Sequence, residues 1–156
     1  MPNWCEGILK VRGTKEEIKT FLLETLQPIP DGLFGQIPVE KEIKEDDWDL
    51  TIKAKNGFYV LGTHRNFIEN NIEFYFATED EIKVCVLDGF KAAWGIASTP
   101  LADLSKIYNV DLKIYAFERG MEFNQDIEIH KGEIVKDVEI EFNDYTWECV
   151  NPILGG

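Results

Sequence analysis

From Glu6 to Arg12 the residues alternate, with Ile8 and Lys10 on one face and Leu9 and Val11 on the other. A period of two predicts a strand with one buried face. Gly13 is expected to end it. Thr14 and Glu17 stand three apart, the spacing of a capping box in which each side chain satisfies an orphan donor of the first helical turn. Ile18, Phe21, Leu22 and Leu26 follow at helical spacing, so a helix is predicted over 14–26, stopped by Pro28 and Pro30.

Residues 27–57 carry Pro28, Pro30, Gly32, Gly35 and Pro38 and read as an irregular insertion. Within it, 49–54 is expected to pair with 58–61 across Asn56-Gly57, a favourable hairpin dipeptide. A short helix is expected over 64–71. Ile72, Phe74 and Phe76 alternate, as do Ile82, Val84 and Val86, which predicts a second hairpin. Thr99 and Pro100 read as N-cap and first residue of a helix whose apolar stripe is Leu101, Leu104, Ile107 and Tyr108. Over 111–118 a strand is predicted, with Leu112, Ile114 and Ala116 on one face and Lys113, Tyr115 and Phe117 on the other. The order is strand, helix, hairpin, helix, strand. It predicts a single α+β domain over 1–156 with a ferredoxin-like βαββαβ core, an antiparallel sheet and two helices on one face.

Beyond Gly120 the alternation continues over 121–129 and 134–142, with a turn at 130–133, and predicts a C-terminal hairpin extension. A four-residue turn sets Ile129 against Ile134 and Phe123 against Ile140. In that register the other face carries Asp126 against Asp137, Glu122 against Glu141, Asn124 against Glu139, and Glu128 beside Val135. Like charges directly opposite are unfavourable. Six carboxylates on one face have two main readings: a solvated face that protects a sheet from aggregation, or a docking surface for a basic partner. A calcium site is a third, without a recognisable loop. Alternate strand residues lie about 6.6 Å apart and neighbouring strands about 4.8 Å. Two acidic columns therefore approach the charge spacing of a nucleic-acid strand, about 3.4 Å.

The charge distribution sharpens this picture. The 156 residues are 44% apolar, with 29 acids, 16 bases and a net charge of −13. The apolar content supports one folded core. The charge argues against direct binding to nucleic acid or anionic membrane, which requires Lys and Arg. Residues 40–81 hold 11 acids and 5 bases and residues 120–156 hold 9 and 2, whereas 82–119 are nearly neutral. Glu42, Glu45, Asp46, Asp47 and Asp49 form a second acidic patch. Cys5, Cys85 and Cys149 are odd in number and widely separated, which suits free thiols in a reducing cytoplasm. No signal peptide or membrane-length apolar run is visible.

The chain carries no nucleotide-binding glycine loop, zinc-protease motif or nucleophile elbow, and neither enzyme activity nor a cofactor or metal is expected. Cys5 reads first as a buried thiol. His64, between Gly62-Thr63 and Arg65, reads as part of a polar loop with a capacity for anions. Trp4, Gly62, Thr63, His64, Trp94 and Glu118 make up the alternative candidate, a small-ligand or nucleotide pocket.

Several blocks taken together resemble the YubB-type ferredoxin-like domain family of small phage and plasmid proteins. The blocks are Met1-Pro2-Asn3-Trp4-Cys5, the strand ending at Gly13, Leu61-Gly62-Thr63-His64, Phe90-Lys91-Ala92-Ala93-Trp94 with Thr99-Pro100, Leu104-Ser105, and Tyr115 with Phe117-Glu118-Arg119-Gly120 and Phe123. The resemblance covers 1–13 and roughly 60–123. Leu61 and His64 depart from the Trp and Lys of the family block, and the prolines that should follow Trp94 closely are absent. The resemblance implies a ferredoxin-like fold and a mobile-element origin but no activity. With the charge pattern, it leads to the expectation of a non-enzymatic protein that inhibits or modulates a basic host protein. A defence nuclease is one such target, in the manner of an anti-CRISPR or anti-restriction protein that mimics nucleic acid. The contact residues would be Glu122, Asp126, Glu128, Asp137, Glu139 and Glu141, with the second patch beside them.

Overall fold

The computed structural model describes residues 1–156. In chain order the elements are β1 (Trp4–Thr14), α1 (Lys15–Thr25), β2 (Leu26–Pro28), β3 (Glu42–Glu45), β4 (Asp49–Lys53), β5 (Phe58–Val60), β6 (Asn66–Ile68), β7 (Ile72–Tyr75) and β8 (Ile82–Ala93). They are followed by α2 (Ser98–Tyr108), β9 (Asp111–Glu118), β10 (Phe123–His130), β11 (Glu133–Glu141) and α3 (Tyr145–Glu148). One eight-stranded antiparallel sheet runs β11-β10-β9-β1-β8-β6-β5-β2, and a three-stranded sheet runs β3-β4-β7.

This corrects the expected fold class. The chain is mostly β, with 11 strands and only 17% of residues helical, and is not a βαββαβ ferredoxin-like α+β core. Three expectations failed together. The 49–54 and 58–61 strands exist as β4 and β5, but they pair into different sheets: β4 with β3 and β7, β5 with β2 and β6. Residues 66–68, expected within a helix, form β6, whose Asn66 faces Ala92 of β8. The hairpin of 72–76 with 82–86 does not form, because β7 pairs with β4 while β8 pairs with β1 and β6. The expected C-terminal hairpin does form, as β10 and β11, and it extends the main sheet, since β10 pairs along its whole length with β9.

β1 is the central strand, and it runs through Gly13 to Thr14. Its Leu9 and Val11 are fully buried beneath α1 and α2, with Leu112, Ile114, Ala116, Ile127 and Ile129 of β9 and β10. The capping box forms as expected: Glu17 N–H donates to Thr14 Oγ1 at 3.3 Å, and Thr14 N–H donates to Glu17 Oε1 at 2.9 Å. Pro28 does not simply stop the chain after α1, because the backbone passes directly into β2. α2 begins two residues earlier than expected, at Ser98 in place of Pro100. Its N-cap is Ala97, without a side-chain cap, and Thr99 lies inside the first turn. Its buried face is Leu101, Ala102, Leu104 and Ser105, leaving Ile107 exposed. Ser105 Oγ explains the rotation, since it donates to Val110 O at 2.5 Å and accepts from Gly132 N–H at 3.0 Å.

The other face of the main sheet carries no helix over β1 and β9. It presents Glu6, Ile8, Lys10 and Arg12 beside Phe117, Tyr115, Lys113 and Asp111. The C-terminal segment crosses one end of this open face. Tyr145 Oη and Cys149 Sγ contact the buried Asn124, and Gly156 N–H donates to Trp4 O at 2.8 Å.

Candidate functional site

The register of β10 against β11 decides where the hairpin acids go. Lys131 and Gly132 both have positive φ and make a two-residue turn, with Ile129 opposite Ile134 as expected. A bulge then places Val135 as an extra residue, and from Glu128 opposite Lys136 onward the pairing is shifted by one. A one-residue shift moves every later side chain of a strand to the other face. Asp126 now faces Val138, Ile127 faces Asp137, Gln125 faces Glu139 and Phe123 faces Glu141. The expected face of six carboxylates is therefore divided between the two sides of the sheet.

Half of those acids are engaged within the chain. Asp126 forms an ion pair with Lys136. Glu128 lies 3.4 Å from Lys113 Nζ and 3.1 Å from His130 Nε2, and the His130 contact foremost holds its carboxyl below the usual range. Asp137 accepts from Ser98 Oγ at 2.6 Å, at the start of α2.

The second patch sits on the β3–β4 hairpin of the small sheet. There Glu45 pairs with Lys19 at 2.7 Å and Glu42 with Lys44 at 3.2 Å. The Asp46 carboxylate accepts the Trp48 and Asp49 N–H groups at 2.7 and 3.0 Å, and those bonds lower its pKa. Asp46 is thus a turn-forming residue. Asp47 and Asp49 hold no ion pair.

The other three hairpin acids converge with an aromatic residue from a distant segment. Glu122, Glu139 and Glu141 line a groove of about 550 Å³ together with Trp94, Met121, Phe123 and Phe142. No base lines it, and none of the three acids has an ion-pair partner in the chain. Trp94 is 62% exposed and Met121 71% exposed. Trp94 has φ 68° and Glu122 φ 62°. That is uncommon for residues with side chains, and strained positions of this kind cluster at functional sites.

Three local devices hold the groove. Trp94 N–H donates to Asn3 O at 2.8 Å. The Gln125 side chain accepts from Ile96 N–H at 2.7 Å and donates to Ile96 O at 3.3 Å, fastening the loop before α2 to β10. The Glu118 carboxylate, 1% exposed, accepts from Gly120 and Met121 N–H, both at 2.7 Å, and so shapes the β9–β10 turn.

Of the six residues of the alternative pocket, Trp94 alone lines any of the four main cavities. Trp4 lies on the open face of the sheet, edge-on to Phe67 and 4.6 Å from Lys91 Nζ. Gly62 lies against Leu104 of α2, Thr63 Oγ1 donates to Val60 O at 2.6 Å, and His64 is exposed. Both carboxylate oxygens of Glu118 are occupied by the turn, and Trp94 alone reaches the groove. Cys5 is fully buried, and burial first, then Glu118, Glu6 and Glu139, push its thiol up to about 12. Burial does the same to Cys85, also to about 12.

Sequence reading missed Met121, Phe123 and Phe142 as groove residues and missed the cluster of Lys10, Lys113, Tyr115 and Phe117 on the open face. The outward positions of that cluster were visible in the alternation of β1 and β9. Their adjacency depends on β1 lying beside β9, which no local pattern specifies. No three His, Cys, Asp or Glu side chains are grouped to hold a metal ion, and no helix is long and apolar enough to cross a membrane. No family model, curated relative or solved structure matches the chain.

Proposed function

We propose that this is a non-enzymatic binding protein whose Trp94 groove receives a lysine or arginine side chain from a basic protein partner. The observation that carries the reading is the convergence of an exposed tryptophan with three uncompensated carboxylates. A cation over an aromatic face gains about 0.5–1 kcal/mol when exposed and about 2 when desolvated. A charge-assisted hydrogen bond to a carboxylate adds about 1.5–3 kcal/mol. The remaining negative charge speeds encounter with a basic surface and makes it salt-sensitive. A phage or plasmid origin, with inhibition of a host nuclease as the outcome of binding, is the specific form of this proposal. Its support is the resemblance of Met1–Cys5 and the later blocks to YubB-type proteins. The contact surface is the groove, in place of a continuous acidic hairpin face.

The test is fluorescence anisotropy with a labelled arginine- and lysine-rich peptide, against the same peptide with glutamine replacing the bases. Glu139→Lys with Glu141→Lys should abolish binding, and Trp94→Ala should weaken it about tenfold. Glu79→Lys with Glu81→Lys changes the net charge equally at a distant loop. Equal losses from the two charge reversals would reduce the effect to bulk charge and remove the groove from the explanation.

A further inference from the structure

A second cavity, of about 580 Å³, opens on the helix-free face of the main sheet. This volume lies within the range of small-molecule sites, about 300–1,000 Å³. A bulge shapes it: Asp88 and Gly89 of β8 together lie against Ile8 of β1, since Gly7 faces Phe90 and Leu9 faces Leu87. Bulges bend a sheet and re-aim side chains. Gly7 allows close approach of β9, because a β-carbon there would overlap Tyr115 O and come within 2.8 Å of Ala116 Cα. Ile8, Tyr115 and Phe117 supply apolar surface, the two rings packed edge to face at 5.2 Å. Leu154 closes one side, on a terminal segment fastened by Gly155 N–H to Glu6 Oε2 at 3.3 Å.

The charged groups of this cavity are unequal in their engagement. Glu69 is paired with Lys91. Asp88 accepts from Gly89 N–H at 2.9 Å and Asn70 Nδ2 at 3.3 Å. Glu6 takes the Gly155 N–H. Lys10 has no ion-pair or hydrogen-bond partner, and Lys113 has one carboxylate, Glu128, at 3.4 Å. Lys10 and Lys113 are also direct cross-strand partners. Like charges at such positions destabilise a sheet. The cavity lining holds two lysines and three carboxylates, and the cross-strand pair Lys10 and Lys113 beside two aromatic rings is its one place for an anion.

We propose that the cavity binds a small organic anion with a flat apolar body, its anionic head at Lys10 and Lys113 and its body against Tyr115 and Phe117. The site is separate from the Trp94 groove and shares no lining residue with it.

Phenyl phosphate is the probe, followed by calorimetry and by the ring resonances of Tyr115 and Phe117. The expected result is saturable binding with shifts of both rings, and binding of inorganic phosphate at least tenfold weaker. Lys10→Gln and Lys113→Gln, both at exposed positions, should each weaken phenyl phosphate about tenfold while leaving the fold intact. Unmoved ring resonances, equal binding of inorganic phosphate, or unchanged affinity in both variants would each overturn the proposal.

Discussion

Replacing Glu118 by glutamine tests whether this buried carboxylate builds the turn that presents the groove. Its side chain is 1% exposed and accepts two backbone N–H groups at 2.7 Å. Glutamine is nearly the same size but offers one acceptor oxygen, so one N–H of Gly120 or Met121 then meets an NH2 group. A hydrogen bond to a charged group is worth about 1.5–3 kcal/mol, and an orphaned buried donor costs about 1–3. The expected loss is about 2–3 kcal/mol. For a chain of this length that corresponds to a fall in Tm of about 4–12 °C. Urea unfolding with unchanged m measures it directly. Because the turn carries Met121 and Glu122 into the groove, affinity for the basic peptide should fall in the same variant, although Glu118 does not line the groove. A stability loss below about 0.5 kcal/mol would refute the argument, as would full peptide affinity in a destabilised protein.

Other consequences follow from single contacts. Gly7→Ala forces a β-carbon onto the Tyr115 backbone, so β1 and β9 must separate. A loss of about 3 kcal/mol or more is expected by thermal unfolding, and a stable variant would mean the two strands are not so close. Thr14→Ala should cost about 1 kcal/mol through loss of the cap. The Glu17 carboxyl is held below its ordinary range, first by the Thr14 N–H, and so stabilises the fold above that range. The contribution fades as pH falls from the ordinary Glu value of 4.5 through the lowered pKa, and the stability gap between wild type and Glu17→Gln should narrow over that fall. Cys5 and Cys85, with thiols raised to about 12, should resist a thiolate-trapping disulfide reagent at pH 8 until guanidinium unfolds the chain. Rapid labelling of either in the native protein would contradict their burial.

What the sequence revealed was local. β1, the capping box, α1, β9 and the existence of the C-terminal hairpin each depend on a repeating pattern within a dozen residues. β2 and β6 are three residues each, too short to show a period; β5, equally short, is marked by Asn56-Gly57, but its partners β2 and β6 are set by long-range packing. Ile72, Phe74 and Phe76 fit a hairpin with β8 as well as they fit β4, so alternation could not choose between sheets. The hairpin register escaped for a different reason. β11 is an edge strand exposed along nearly its whole length, so burial gives its parity little direction, and the bulge at Val135 reverses it. Trp94 and the three groove acids were each singled out, but for separate sites, because only the folded chain brings the β8–α2 loop beside the end of β11.

The central position of β1 has a consequence for how the protein is made. Both neighbours of this first strand come late in the chain, β8 beginning at Ile82 and β9 at Asp111. At synthesis rates of about 5–20 residues per second the strand is left without partners for several seconds after it emerges. During that interval Leu9 and Val11 have only the neighbouring α1 to shield them, and two strand edges stand open. Non-local pairing also lowers the folding rate itself. Nascent chains stalled before Ile82 should therefore engage holdase chaperones, and those extended past Glu118 should release them.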